Sequence, residues 1–317
     1  MYNKFIRKNY ILIFNLIVLL ALSACGKNSP GDDPDRDEQD PPAKTWQEDW
    51  FDHKQVVKLQ YYNKYTAIYY DDDMDTTLIW PRDVASEIWK YSWDTYGGFG
   101  DDHRLKVILH LDKYFGGHPG YYLSEVHGFQ NVIDIGLNSS QWADNLGLPL
   151  DMITHEIGHI VESCAFQTLE SPAFPIWEDS KWAEIYQYDV YKALGWSEKA
   201  ESWHNEKLKT SDNFPREGTF WYRDWFYPIY STYGETEVLV KFFKLLSENF
   251  PTKPINGGKA FTRDLTMGEF VHFWSAAASK DLKELALTAF GSKDKQGQDW
   301  VLQLDQAKKD FPELQYE

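Results

Sequence analysis

The amino-acid sequence predicts an α+β domain: a small mixed sheet carrying one central helix, followed by a mostly helical C-terminal half. Three observations predict it. Alternating, β-branched runs fall before residue 140, the pattern of half-buried strands. One segment, LPLDMITHEIGHIVESCAF at 148–166, carries Met152, Ile153, Ile157, Ile160 and Val161 as a single apolar stripe, the mark of a helix packed on one face. Amphipathic segments then dominate to the end of the chain.

The order along the chain begins with targeting signals. Lys4, Arg7 and Lys8 precede an apolar run, Ile11 to Leu22, interrupted only by Asn15. A membrane span needs about 20 such residues, so this run suits a signal peptide instead. Leu22-Ser23-Ala24-Cys25 resembles a bacterial lipobox, which implies a lipid on Cys25 and a signal peptide over 1–24. Residues 25–45 are rich in Pro, Gly and acids and poor in large apolar side chains, the composition of a solvated tether. Acidic residues just after the Cys resemble the surface-export signals of Bacteroidetes-type lipoproteins. That resemblance implies a lipid anchor and a surface-exposed place on the outer membrane. The folded domain is expected over 46–317, its α/β part reaching about residue 165.

Within it, residues 54–70 mix strand and helix signals. Pro81 to Tyr96 reads as a helix stopped by Gly97-Gly98, with Val84, Ile88 and Trp89 at helical spacing. RLKVILHL (104–111) and GFQNVIDIGL (128–137) read as strands. After the central helix, Asp179 and Ser180 read as N-caps of a helix over 180–194. A helix broken near Pro228 follows, then ETEVLVKFFKLLSENF, then TMGEFVHFWSAAAS opened by a Thr266/Glu269 capping box, and two shorter helices.

Composition limits function. The 317 residues carry a net charge of −17 and no long basic run, which argues against nucleic acid. The 14 Trp, 20 Tyr and 19 Phe support a large core, with some aromatic surface free for ligands. With Cys25 lipidated, Cys164 has no partner within the chain and reads as a packed small apolar residue. A monomer is expected.

The chemistry lies in His155-Glu156-Ile157-Gly158-His159. Residues i and i+4 share a helix face, so both imidazoles can chelate one Zn2+ from one turn. Glu156 can hold the water that such an ion acidifies, take its proton, and pass a proton to the leaving amine. A catalytic zinc site needs a third protein ligand. Glu178 and Glu184 both stand at usable spacings. Glu184 is favoured because a helix aims it, whereas Glu178 falls in the loop before the caps. Glu162 and Asp189 are candidates to orient the ligands. Gly158, costly inside a helix, implies a close neighbour there. Tyr222, Tyr227 and Tyr230 are available to an oxyanion but read as core. His103, His110, His118, His127 and His272 show no metal spacing to one another.

HEIGH followed by WAEIYQYDVY resembles gluzincin zinc metallopeptidases, above all the enhancin-like, mucin-degrading peptidases and the plant basic secretory proteins. The resemblance spans roughly residues 85–290. It implies a zincin-like fold, with His155, His159 and Glu184 on Zn2+ and Glu156 as catalytic base. It also implies protein or glycoprotein substrates, and the 128–137 strand is expected to line the cleft and pair with an extended peptide. Those families place their third Glu closer to the second His than Glu184 lies, which keeps Glu178 open. The alternative function is an inactive domain of the same fold, a surface lipoprotein that binds glycan or protein through its aromatic side chains.

Overall fold

The computed structural model describes residues 41–317. The signal peptide, Cys25 and most of the tether lie outside the described residues. Six strands form the main sheet: β1 (Thr45–Gln47), β2 (Val56–Tyr62), β3 (Thr66–Tyr70), β4 (Leu105–Leu111), β5 (Gly116–Gly120) and β6 (Val132–Leu137). Their order is β1-β2-β3-β4-β6-β5. β3, β4 and β6 run parallel, and β5 returns antiparallel along β6 to make the edge. The ambiguous 54–70 stretch is thus two strands of a hairpin.

Alternation along these strands sorts the two faces. Val107, Leu109, Ile133 and Ile135 join the main core. Helices α1 (Trp80–Tyr96) and α3 (Leu148–Cys164) supply Ile88, Trp89, Ile153 and Ile157 to it. Between them the short α2 (Ser139–Trp142) is opened by an Asn138/Gln141 capping box. On the opposite face, Ile108 and Val132 pack with Trp50, Val57, Ala67 and Tyr69.

The second half is helical: α4 (Phe174–Ala193), α5 (Ser197–Lys207), a π-helical turn (Tyr222–Phe226), α6 (Tyr227–Thr232), α7 (Thr236–Asn249), α8 (Met267–Ala278), α9 (Lys283–Phe290) and α10 (Trp300–Asp310). The expected capping box is present. Thr266 Oγ1 accepts from the Glu269 amide at 3.2 Å, and Glu269 Oε2 accepts from the Thr266 amide at 2.8 Å. A small sheet, β7 (Thr168–Leu169), β9 (Gly258–Phe261) and β8 (Thr252–Ile255), lies within this half. Most of the aromatic excess is core: Trp177, Trp182, Trp225 and Trp274 are fully buried and ring-packed with Phe242, Phe243 and Phe270. Among the described residues, no helix is long and apolar enough to cross a membrane.

Two features position the site. The first is the edge. The 132–137 strand has neighbours on both sides, so it cannot take a further strand. The free edge near the central helix belongs to β5. The second is Gly158. A Cβ there would stand 2.8 Å from the Tyr186 ring of α4. The glycine lets α3 and α4 approach closely, as its cost in a helix interior implied.

Candidate metal centre

One helical turn of α3 carries both histidines. His155 Nε2 and His159 Nε2 lie 3.0 Å apart. The third group to reach them is Asp179: its Oδ1 is 3.2 Å from His159 Nε2. All three offer a ligand atom within 4.8 Å of the others.

Asp179 gets there through a break in α4. Glu178 has φ 50° and ψ −165° inside the helix, a strained conformation for a residue with a Cβ. The break divides α4 and delivers Asp179 to the histidines. Glu178 itself is half-exposed, and its carboxylate is 3.6 Å from Lys181. Glu184, one turn further on, is also turned elsewhere: Glu184 Oε1 is 3.7 Å from Lys207 Nζ. The histidines are therefore joined by Asp179, and neither glutamate weighed from spacing reaches them. An Asp just before a helical run reads as an N-cap, and that reading concealed it.

The surroundings tune each group. Glu162 is buried and joins His159 Nδ1 at 3.2 Å through its Oε2, while its Oε1 accepts from the Trp177 indole. Burial drives the His159 imidazole down, but Asp179 and Glu162 outweigh it and hold the ring up at about 10. Desolvation of the half-buried His155 ring, with that cation beside it, pushes it down to about 4. Glu156 is buried, and burial raises its carboxyl to about 7 against the pull of His159. Its Oε2 has no hydrogen-bond partner. On β5, a Cβ at Gly117 would fall 2.0 Å from Glu156 Oε1, so only glycine lets the edge strand lie against this carboxylate.

Of the other expected residues, Asp189 is not at the site. It accepts from Tyr230 at 2.9 Å, Tyr91 at 2.7 Å and Thr236 at 2.5 Å, tying α4 to α1, α6 and α7. Tyr230 is spent on that contact, and the Tyr222 hydroxyl is 3.0 Å from His204 Nδ1. Cys164 is fully buried, and burial pushes its thiol up. His272 is held by Tyr316 and the Phe311 carbonyl, and His103 packs at a tilt against Trp93. Two histidine groupings do form in space without any spacing in sequence. His118 and His127 bring their Nε2 atoms to 3.1 Å. His110 and His53 meet Glu48 and Asp134 in a second potential metal cluster.

Glu184 gives a stability test. Its side chain is 12 % exposed, and burial pushes its carboxyl from 4.5 up to about 7, with Lys207 and Lys181 opposing. Between those values the unfolded chain has lost the proton and the folded chain keeps it. Stability therefore falls as pH rises through this window and levels off above it, by up to about 3 kcal/mol. Glu184→Gln is expected to remove that slope. Denaturant unfolding of wild type and variant at pH 5 and pH 8 checks it; parallel curves would refute it.

No protein-family model matches the chain, and a search of curated proteins finds no match.

Proposed function

We propose that the chain is a zinc-dependent peptidase of zincin-like architecture, tethered by lipid on Cys25 to the outside of the cell envelope and acting on proteins or glycoproteins. The observation that carries the reading is the convergence of His155, His159 and Asp179 beside a buried carboxylate, Glu156, whose Oε2 lacks any protein partner. The donor set suits the ion: two imidazoles and one carboxylate are borderline ligands and leave a position open, as in catalytic zinc sites. His155, His159 and Asp179 would hold it. When bound, Zn2+ supplies Lewis acidity toward a carbonyl oxygen and a water molecule.

The chain's own groups do the rest. Glu156 accepts a proton from water at its free oxygen and returns one to the leaving amine. A carboxyl raised toward neutrality is suited to both transfers. Burial holds the carboxylate in place, with its other oxygen, Oε1, towards Gly117 of β5. Glu162 accepts a hydrogen bond from the Nδ1–H of His159 and so keeps its Nε2 lone pair turned outward. The β5 edge, free on one side, can pair with an extended substrate backbone. The third ligand is then an aspartate, a departure from the gluzincin pattern.

The test is proteolysis of a denatured protein and of a mucin-type glycoprotein by the purified chain. Cleavage lost on chelation and restored by stoichiometric Zn2+ is the expected result. A metal-loaded, folded chain that cleaves neither substrate would sink the reading. Glu162→Ala is expected to weaken zinc affinity by roughly 10- to 100-fold, the usual cost of losing a group that orients a ligand. Competition with a chromophoric chelator measures it, and unchanged affinity would refute the role.

A further inference from the structure

The opposite face of the main sheet holds a second cluster of metal-ligand type. Glu48 and His53 come from the segment between β1 and β2, His110 from β4 and Asp134 from β6. All four are buried, and one ligand atom from each lies within 4.8 Å of the others. His110 Nε2 is 2.9 Å from Glu48 Oε1 and 3.1 Å from Asp134 Oδ1. His53 Nδ1 is 2.7 Å from Asp134 Oδ2 and 3.9 Å from Glu48 Oε1. Four donors at zinc-ligand distances of about 2.0–2.1 Å stand roughly 3.3 Å apart in a tetrahedron. The two imidazole separations from the single atom Glu48 Oε1, 2.9 and 3.9 Å, bracket that value.

We infer that Glu48, His53, His110 and Asp134 bind a divalent ion of the zinc class as a closed structural site, pinning the segment that leads into the domain onto the sheet. Asp134 gives the independent sign. It is 2 % exposed, and its Oδ1 takes no hydrogen bond although His110 Nε2 is close by. A buried carboxylate oxygen that no well-aligned donor satisfies favours a cation beside it. The surroundings complete a ligand shell. Asp71 Oδ2 is 3.1 Å from His110 Nδ1, the carboxylate–histidine contact that directs the other ring nitrogen at an ion. Trp50 Nε1 donates to Asp134 Oδ2 at 2.7 Å, and the Gln55 amide donates to Glu48 Oε2 at 3.3 Å.

Charge points the same way. Glu48, Asp71 and Asp134 bring three carboxyl groups into the interior, and a divalent ion there would offset two of their charges. Two nitrogens and two oxygens select a borderline ion such as Zn2+ over Ca2+ or Mg2+, which take all-oxygen shells. With no open position, the site does no chemistry of its own.

The test uses the full chain in detergent, with His155→Ala and His159→Ala removing the first site. After chelator stripping, the folded double variant is offered Zn2+, Co2+ or Ca2+. About one Zn2+ or Co2+ per chain, a tetrahedral Co2+ absorption band, and a rise in melting temperature with Zn2+ but not Ca2+ are expected. Adding His53→Ala, or His53→Gln where alanine unfolds the chain, should abolish all three. A folded double variant that binds neither Zn2+ nor Co2+ overturns the site, as does an ion count unmoved by His53 replacement. Where the double variant does not fold, the comparison is made in the otherwise wild-type chain: His53 replacement should lower its ion count by one, and an unchanged count overturns the site. Because the cluster shares no residue with the HEIGH centre, this result is independent of whether the chain is a peptidase.

Discussion

Glu156→Gln is expected to keep the metal and lose peptide hydrolysis by roughly 10²- to 10⁴-fold, the span that general acid–base catalysis supplies. The amide preserves size and hydrogen-bonding shape but accepts no proton at neutral pH. Nothing nearby can replace it: Glu156 Oε2 has no partner in the protein, and Glu162 is committed to His159 and Trp177. Loss should fall on kcat with KM little changed, because the carboxylate acts in proton transfer rather than in holding substrate. The variant should also stay folded, since a buried carboxyl held up at about 7 by burial gains nothing from ionising there. Steady-state kinetics with metal content measured on the same sample decide the matter. Activity within tenfold of wild type, or a variant that sheds its metal, would remove Glu156 from the role of base.

How far the sequence could be read depends on whether a feature is local. The helix over 148–164 was legible because its stripe of Ile153, Ile157, Ile160 and Val161 is periodic, and the same holds for α1 and the capped α8. His155, Glu156 and His159 were legible because one helical turn holds them together. β5 was not. GGHPG has no β-branched residue, and its place is fixed by pairing Gly117 with Ile135 and His118 with Asp134. Gly117 stands where a side chain would meet Glu156, a tertiary cause with no local trace. Of the 128–137 segment read as a strand, Val132–Leu137 is one, but the edge had to be found from topology. Helix α5, short and mostly polar, carried too weak a stripe to be seen.

The second cluster marks the limit of spacing arguments. Glu48, His53, His110 and Asp134 are drawn from three parts of the chain, and only the parallel pairing of β4 with β6 sets His110 and Asp134 near each other. Alternation did hold one clue. RLKVILHL places His110, and NVIDIGL places Asp134, between apolar neighbours in a strand. Buried polar groups need partners, so each asked for another.

The last expected result separates the carboxylates. Asp179→Ala should lower zinc affinity by more than about 100-fold, since even a residue that merely orients a ligand costs 10- to 100-fold. Glu184→Ala and Glu178→Ala should each leave affinity within a few-fold of wild type. The reason is reach: Asp179 Oδ1 is 3.2 Å from His159 Nε2, whereas Glu184 faces Lys207 and Glu178 faces Lys181. The preference for a carboxylate on a regular helix assumed that helical backbone aims best. In this chain the aim comes from an interruption, the strained Glu178, which redirects the residue after it. Glu178→Gly makes a useful companion. Glycine adopts positive φ without strain, so metal binding should survive it, and a loss would mean the Glu178 side chain itself takes part. Zinc retained after dialysis against a weak chelator, measured on all four variants with folding checked by circular dichroism, gives the answer. Retention by Asp179→Ala together with loss by Glu184→Ala would return the third ligand to the helix and require α4 to rotate when the ion binds.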